Sequence, residues 1–363
     1  MMTVKIFRSA LVLVLTLIVT VSVAQTSKKP EPKGKIWSVE KANAWYAEHK
    51  WMTGANFIPS SAINQLEMWQ AETFDPQTID RELGYAEGIG FNTMRVFLHS
   101  VAYAADPKGF KSRVSEYLKI ADKHHIQTIF VFFDDCWNPD PKAGKQPVPK
   151  TGIHNSGWAQ DPGVDEVKDE KQFASLEVYV KDILNTFAHD KRILLWDLYN
   201  EPGNTKKGDK SLNLVKKVFS WGRDVSPDQP LSVGLWAWNL EKLNAFQALN
   251  SDIITYHDYS DEVSHEKTIQ LLKSHGRPLI CTEYMARTRG SNFSNIMPLL
   301  KKQNVGAINW GLVAGKTNTI YAWNNPMPDG AEPKDWFHDI FRKDGTVYRE
   351  EEVNLIKSLT KEK

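Results

Sequence analysis

Short runs of apolar or β-branched residues alternate along the chain with longer segments in which apolar residues return every three or four positions. The short runs are typical of buried strands, and the longer segments of amphipathic helices. Strict alternation of the two indicates parallel strands joined by crossover helices. We predict eight strands, at residues 53–58, 93–99, 128–134, 193–200, 231–236, 253–259, 279–284 and 306–312.

The segments between these strands predict the helices. Pro76 suits the first turn of one helix and Gly276 suits the end of another, whereas the fifth helix, "LEKLNAFQAL", is short. Eight strand and helix units in alternation predict an α/β fold, a closed (β/α)₈ TIM barrel that forms a single catalytic domain. An open doubly wound sheet would usually carry a Gly-rich phosphate loop after its first strand, and "NFIPSS" is not one.

The N-terminus has the pattern of a secretory signal. Residues 1–24 contain basic residues, then the apolar run "ALVLVLTLIVTV", then small residues, which predicts cleavage after Ala24. The alternative is an uncleaved membrane anchor, which the short apolar run disfavours because a bilayer core is about 30 Å thick. We therefore expect an exported, periplasmic or secreted protein with no stable membrane association after cleavage, a polar linker at 25–36 and a catalytic domain at 37–363.

Charge and composition limit the class of partner. The chain has 45 Lys and Arg against 44 Asp and Glu, a formal charge of +1, which gives no overall attraction to nucleic acid. Thirteen Trp and eleven Tyr supply flat aromatic faces that suit the C–H faces of sugar rings, although most Trp residues simply pack. We expect a neutral oligo- or polysaccharide as the partner.

The two cysteines, Cys136 and Cys281, are too few for a disulfide framework. The sequence alone leaves a single bridge between them open. The predicted strands disfavour it, because they place the two residues on distant strands.

Two glutamates occupy the ends of predicted strands. Glu201 follows the fourth strand in "LYNEPGN", and Glu283 lies near the end of the seventh in "CTEY". The carboxyl ends of the strands form the active face of a (β/α)₈ barrel, so the two side chains should face each other. Two carboxyls about 5 to 5.5 Å apart fit retaining glycoside hydrolysis, in which one protonates the leaving oxygen and the other attacks the anomeric carbon.

This chemistry needs one ionised carboxylate and one acid with a raised pKa. Arg95 from the second strand and Tyr259 from the sixth could hold Glu283 ionised. Structural alternatives stay open: a Glu before Pro202 could simply end a strand, Arg95 could form a stabilising salt bridge, and His257 with Tyr259 could be a core polar pair.

Taken together, "YNEP", "CTEY", "MRVFLH" and "INWGL" resemble clan A of the glycoside hydrolases, and most closely family 5, the cellulase and mannanase family. The resemblance covers residues 51–312. It implies a retaining hydrolase of β-linked oligo- or polysaccharides that acts by double displacement without a cofactor. The roles it implies are Glu201 as acid/base, Glu283 as nucleophile, Arg95 and Tyr259 as supports of the nucleophile, Asn200 as the amide at the sugar 2-hydroxyl, His257 as a sugar contact, and Trp310 as the platform under the sugar.

The chain departs from the family pattern after the third strand, where "FFDDCWN" stands in place of a substrate-binding His. We expect Asp134, Asp135 and Trp137 to take over that contact. The Pro that often follows the Arg of the second strand is also missing. Further candidate substrate contacts are His99, Trp236 and Trp323, and Glu67 and Trp69 could either shape the cleft or belong to an ordinary packed loop.

Three other classes of protein fit part of this pattern. A metal hydrolase could use His99, Asp134, Asp135 and His257, but no compact metal-ligand spacing is present, so no metal is expected. A non-catalytic carbohydrate-binding barrel would not need both glutamates. A transglycosylase would use the same residues and differ only in whether water or a sugar resolves the intermediate.

Overall fold

Eight parallel strands form the centre of the fold, each close to a run predicted from the sequence. They are hydrogen-bonded in the order β5-β4-β3-β2-β1-β8-β7-β6, and a parallel bridge between Leu235 and Tyr256 links the remaining edges, which gives a nearly closed barrel. The predicted (β/α)₈ TIM barrel is confirmed. The strands are β1 Thr53–Asn56, β2 Thr93–Phe97, β3 Gln127–Asp134, β4 Ile193–Asn200, β5 Leu231–Ser232, β6 Ile254–His257, β7 Leu279–Glu283 and β8 Gly306–Trp310.

Strand β5 is much shorter than the predicted run at 231–236. It pairs with β4 only through Leu231 and Ser232. Beyond this point the backbone of Leu235 bonds to β6 instead, through its N–H to Thr255 and its carbonyl to His257. The backbone therefore bonds to β4 at the start of this apolar run and to β6 at Leu235, so only its first two residues form a regular strand.

The computed structural model of the protein describes residues 34–361. The predicted signal peptide and residues 25–33 of the predicted linker lie outside this range. Within it, no helix combines the length and the apolar character needed to cross a bilayer. The described residues belong to one compact unit.

Helices surround the barrel, and six of them begin with a side chain that accepts an N–H of the first turn. Asp75 accepts the N–H of Thr78 and Asp106 accepts that of Gly109, and each helix then starts on a proline. The helices are α1 Val39–Ala47, α2 Gln65–Trp69, α3 Pro76–Gly88, α4 Ser100–Ala105, α5 Pro107–Lys123, α6 Val164–Lys168, α7 Phe173–Phe187, α8 Leu212–Val225, α9 Glu241–Asn250, α10 Glu262–Lys273, α11 Phe293–Lys302 and α12 Glu350–Thr360.

The amino-terminal end of the barrel is closed by α1. Its buried residues Ala42 and Tyr46 pack on apolar side chains from inside the barrel, such as Met52 and Ile280, and Trp45 covers the same cluster. Trp45 therefore belongs to the bottom of the barrel. Polar groups at the opposite end are therefore free to form a site.

Two long loops leave the carboxyl ends of the strands. The β3 loop comprises residues 135–163, and the β8 loop comprises residues 311–349. The β8 loop separates strand β8 from the last helix, α12. The sequence pattern did not predict this helix.

Arg287 anchors the β8 loop from beneath. It lies just after β7, and its side chain is buried. The guanidinium donates hydrogen bonds to the backbone carbonyls of Trp336, His338 and Asp339. It also donates to both carboxylate oxygens of Glu352 in α12, at 2.9 and 2.6 Å. One cation thus joins the end of β7, the β8 loop and the final helix.

Candidate active site

Glu283 is the last residue of β7 and is 5% exposed. Its Oε1 accepts a hydrogen bond from Nη1 of Arg95 at 2.9 Å, and its Oε2 accepts one from the Tyr259 hydroxyl at 2.8 Å. The contacts predicted for Arg95 and Tyr259 are both present. A cation and a hydroxyl donor stabilise the ionised form of this carboxylate.

Glu201 follows the last residue of β4 and has a left-handed backbone, with φ of 44°. For a residue with a Cβ this conformation costs roughly 1–2 kcal/mol. Its carboxylate is held on both sides. Oε2 accepts from the Asn204 amide at 2.5 Å and from the Cys136 thiol at 3.2 Å, and Oε1 lies 2.9 Å from Nδ1 of His257.

His257 lies between the two glutamates. Its Nδ1 is 3.5 Å from Oε2 of Glu283 as well as 2.9 Å from Glu201. One oxygen of each carboxylate and one ring nitrogen of His257 lie within 4.8 Å of one another. The sequence prediction that two distant glutamates converge at the carboxyl end of the barrel therefore agrees with the structure.

Burial determines the protonation of this group. It lowers the pKa of His257 to about 4, so the imidazole is neutral at pH 7. It raises the pKa of both Glu201 and Glu283, and the Glu201 charge raises that of Glu283 further. Two carboxyl groups this close lose their protons in two separate steps, because the first negative charge opposes the second. The first charge settles on Glu283, because Arg95 and Tyr259 donate to it.

Arg95 is fully buried below the cleft and binds two carboxylates. Nε and Nη2 donate to Oδ2 of Asp197 at 2.9 and 2.7 Å, and Nη1 donates to Glu283. The side-chain oxygens of Asn56 and Asn200 accept the remaining bonds, at 2.8 and 2.7 Å. The stabilising salt bridge left open as an alternative thus exists together with the contact to Glu283.

Removing this cation should destabilise the fold. We expect Arg95→Met to lower the free energy of unfolding by about 3–5 kcal/mol, because it leaves Asp197 charged and unpaired in the core. The measurement is chemical denaturation followed by tryptophan fluorescence. As a control, Lys123→Met breaks the exposed pair with Asp80 and should cost less than about 1 kcal/mol. Equal losses in the two variants would contradict the expectation.

Asn200 is oriented by bonds on both sides of its amide. Its oxygen accepts from Arg95, and its Nδ2 donates to Oδ1 of Asp134 at 2.9 Å. The other oxygen of Asp134 accepts from Nε1 of Trp158 at 2.7 Å. Asp134 therefore links Asn200, at the catalytic centre, to the β3 loop.

The two glutamates open into a cleft of about 790 Å³. Trp310, the last residue of β8, forms part of its surface, with its ring edge-on to Phe97 and Trp158 at centroid distances of 5.8 and 5.6 Å. The sequence-predicted residues that line the cleft are Asp134, Trp137, Asn200, Glu201, Trp236, His257, Tyr259, Glu283, Trp310 and Trp323.

His99 does not line the cleft, so its prediction as a substrate contact is corrected. The ring is 0% exposed, its Nε2 lies 3.1 Å from the Gln160 carbonyl, and its Nδ1 accepts the N–H of Val101. Burial lowers its pKa to about 3. The residue caps α4 and holds the β3 loop from behind.

Asp135 is a second correction. It is 0% exposed and accepts hydrogen bonds from Tyr199, Lys207, Ser211 and the N–H of Gly203. Its charge is therefore satisfied behind the cleft. These donors lie in β4 or in the segment after Glu201, so Asp135 positions that segment and does not contact substrate.

Glu67 and Trp69, in the loop after β1, belong to a packed loop and do not shape the cleft. Trp69 is fully buried and donates its indole N–H to the Phe97 carbonyl. Glu67 accepts the N–H of Ile63 and pairs with Lys316. Neither residue lines the cleft.

Several cleft residues were not predicted from the sequence. Arg289 is exposed at the rim, with its guanidinium 5.6 Å from the ring centre of Trp323. Both cysteines are free and buried, as the predicted strands suggested, but the position of Cys136 beside Glu201 was missed. The unpredicted cleft residues include Cys136, His154, Trp158, Asn204, Trp238 and Arg289.

The Cys136 thiol should tune the alkaline limb of the pH dependence of kcat/KM. Its S–H donates to Glu201, which favours the ionised carboxylate and opposes the rise in pKa that burial causes. We expect Cys136→Ala to raise the pKa of Glu201 and so move the alkaline limb of kcat/KM to higher pH. Cys136→Ser keeps a donor and should move the limb less. A limb that shifts to lower pH in Cys136→Ala would refute this role.

The candidate ligands of a metal hydrolase do not converge. His99 and Asp135 have other partners outside the cleft. Within residues 34–361, the group of His, Cys, Asp and Glu side chains close enough to share an ion is Glu201, His257 and Glu283. These three are the two candidate catalytic glutamates and the histidine that lies between them.

A (β/α)₈ barrel with two close glutamates at the ends of β4 and β7 defines the class of glycoside hydrolases. The family model described as "Cellulase (glycosyl hydrolase family 5)" matches residues 56–316. The chain therefore belongs to glycosyl hydrolase family 5. No curated protein matches it.

Solved structures share the fold at low identity. An endo-β-1,4-mannanase from Thermotoga petrophila has 16% identity and a TM-score of 0.56, over 86% of this chain and 77% of that one. A GH5_18 variant from Streptomyces cattleya in complex with Manβ1-4GlcNAc has 10% identity and a TM-score of 0.58, over 85% and 80%. An exo-β-1,4-mannosidase from an Opitutaceae bacterium has 15% identity and a TM-score of 0.58, over 86% and 60%.

Proposed function

We propose that this glycoside hydrolase cleaves β-linked oligo- or polysaccharides with retention of configuration. The supporting observation is the separation of the two glutamates, which have carboxylate oxygens within 4.8 Å of each other. Retaining enzymes hold their carboxyls about 5 Å apart, whereas inverting enzymes leave about 6.5–9.5 Å for a water molecule.

The surroundings of each glutamate support its role. Glu283 receives donors from Arg95 and Tyr259 and is the nucleophile, since a nucleophile must be ionised. Among residues 34–361, the hydrogen-bond partners of the Glu201 carboxyl group are neutral: a thiol, an amide and a neutral imidazole. Burial raises its pKa and keeps the proton that a general acid must give.

The reaction takes two steps. In the first, Glu201 gives its proton to the glycosidic oxygen while a Glu283 oxygen attacks the anomeric carbon, so the bond to the leaving alcohol breaks and an ester to Glu283 forms. In the second, ionised Glu201 takes a proton from water, the water oxygen attacks the same carbon, and Glu283 leaves as a carboxylate. The Asn200 amide binds the sugar 2-hydroxyl, and Trp310 stacks under the ring.

β-Mannosides are the first substrates to test. The names of similar structures support this choice, because they include an endo-mannanase, an exo-mannosidase and a complex with Manβ1-4GlcNAc. The experiment compares aryl β-glycosides with manno, gluco, xylo and galacto configuration, and NMR identifies the anomer released first. Early β-anomer is the expected result. Early α-anomer would refute retention, and no turnover of any substrate would refute the proposal.

Two alternatives give other outcomes in the same experiment. A carbohydrate-binding barrel would bind sugars without turnover, and it would not need Glu201 and Glu283 to be held in different environments. A transglycosylase would use the same pair but transfer the glycosyl group to added sugar in preference to water. The ratio of transfer product to free sugar distinguishes it from a hydrolase.

We further propose that the protein is exported. The support is the signal-like pattern of residues 1–24. N-terminal sequencing of the mature protein should begin at Gln25, and a mature protein that still begins at Met1 would contradict export by cleavage.

A further inference from the structure

The β3 loop and the β8 loop are joined at the mouth of the barrel. The N–H of Asn155 donates to the Thr317 carbonyl at 2.7 Å, and the N–H of Met327 donates to the Gly152 carbonyl at 3.0 Å. Nδ1 of His154 lies 2.8 Å from the carbonyl of Tyr321. We call this junction, residues 150–155 with 317–327, the loop bridge.

The loop bridge spans one particular side of the mouth. Strands β2 and β1 lie between β3 and β8 in the barrel. Asn155 and Thr317 of the loop bridge line a small cavity together with Asn56, at the end of β1, and Phe97, at the end of β2, so this part of the bridge lies over those two strand ends. The junction is tight at Gly152, which has φ of 65°, where an added Cβ would come within 1.7 Å of the Met327 carbonyl oxygen.

The space under the loop bridge is filled with side chains. Trp158 is 3% exposed and packs on Phe97 and Trp310, with Ile58 against the same cluster. The cavity that remains behind Trp310 has a volume of about 20 Å³, which holds a water molecule but not a sugar. A sugar on Trp310 therefore has no neighbouring subsite in this direction.

The leaving group lies on the side of the cleft next to β4 and β5. Glu201 protonates the leaving oxygen, so the leaving sugar lies near β4 and β5. Residues after these strands line the cleft there, namely Asn204, Thr205, Trp236 and Trp238. His154, Asn155 and Trp323 of the loop bridge also line the cleft. They form its wall away from β4 and β5, in the direction in which the substrate chain would continue towards its non-reducing end.

We propose that the enzyme is exo-acting and removes single sugars from the non-reducing end, because the loop bridge closes the cleft beyond the sugar on Trp310. This inference rests on the proposed retaining hydrolysis, which sets the direction of the substrate. The leaving group can be long, since the β4 and β5 side is open.

The test uses β-1,4-linked pentasaccharides, in the sugar configuration that the aryl glycosides identify, with a fluorophore on the reducing end. One version carries a free non-reducing end and the other a 4-O-methyl group there. We expect the free version to lose one sugar at a time, and the blocked version to react at least 100-fold more slowly. Equal rates, or first products shortened by two or more sugars, would overturn exo action alone. Failure with every aryl glycoside and with every pentasaccharide would overturn the proposed function and exo action together.

A pair of glycine variants tests the cause. Gly152→Ala forces the loop bridge apart, whereas Gly144→Ala has similar backbone strain, with φ of 95°, but its added Cβ meets nothing within 4 Å. We expect the ratio of blocked to free cleavage rates to rise at least tenfold in Gly152→Ala and to stay constant in Gly144→Ala. An unchanged ratio in both variants would overturn the assignment of the closed end to the loop bridge.

Discussion

Glu283→Ala is expected to lower kcat by on the order of 10⁴-fold. The variant loses the oxygen that attacks the anomeric carbon, and no other carboxylate can replace it, because Glu201 is held by His257, Asn204 and Cys136. Steady-state kinetics with an aryl glycoside measures the loss. Glu283→Gln is the matched variant, since it keeps the volume of the side chain but removes the nucleophile, and it should lose a similar factor.

Addition of azide identifies the nucleophile directly. With Glu283→Gly, azide can enter the space left by the carboxylate and attack from the same face, so the product should be a glycosyl azide of inverted configuration. The unfolding midpoint of the variant should remain close to that of the wild type, because Arg95 keeps its bonds to Asp197. An inverted azide from a Glu201 variant instead would show that the two roles are reversed.

Glu201→Ala should give a large loss that depends on the leaving group. We expect turnover of unactivated oligosaccharides to fall by roughly 10³-fold, because the leaving oxygen no longer receives a proton. Formation of the ester with Glu283 from a 2,4-dinitrophenyl glycoside should be much less affected, since this leaving group departs without protonation. Pre-steady-state release of dinitrophenol measures that step.

The control for Glu201→Ala is Glu177→Ala, which removes a carboxylate paired with Lys181 on the surface of α7. Its turnover should stay within a few-fold of the wild type. Equal losses with both classes of leaving group in Glu201→Ala would argue against the acid role.

Strand ends were the most informative part of the sequence. Asn200, Glu283 and Trp310 are the last residues of their strands, and they line one cleft as predicted. The reason is physical: the carboxyl ends of parallel strands in a barrel lie on one ring, so polar residues at those ends are close whatever their separation in sequence.

Residues just beyond a strand end were harder to predict. Asp134 and Asp135 are adjacent, yet Asp134 lines the cleft and Asp135 points to donors behind it. Successive side chains alternate between the two faces of the sheet only within a strand, and β3 ends at Asp134. The direction of the next side chain therefore cannot be predicted from this alternation. The same limit explains the misassignment of His99, which lies beyond β2 and caps α4.

The loop bridge could not be predicted from the sequence. The β3 and β8 loops have no hydrophobic period, and their contact joins residues more than 160 positions apart, such as Asn155 and Thr317. Each of the hydrogen bonds across the loop bridge has a backbone carbonyl as one partner, and a carbonyl leaves no signal in residue type. Whether the enzyme cuts ends or interiors therefore depends on features that only the structure contains.

The Arg287 anchor has a consequence for engineering. Transplanting a shorter β8 loop from an endo-acting relative is an obvious way to change the product profile. Arg287 would then lose the carbonyls of Trp336, His338 and Asp339 and keep only Glu352. A successful graft must therefore supply new acceptors for this guanidinium or replace Arg287 and Glu352 together. The β8 loop has to be exchanged as one unit with the ion pair that holds it.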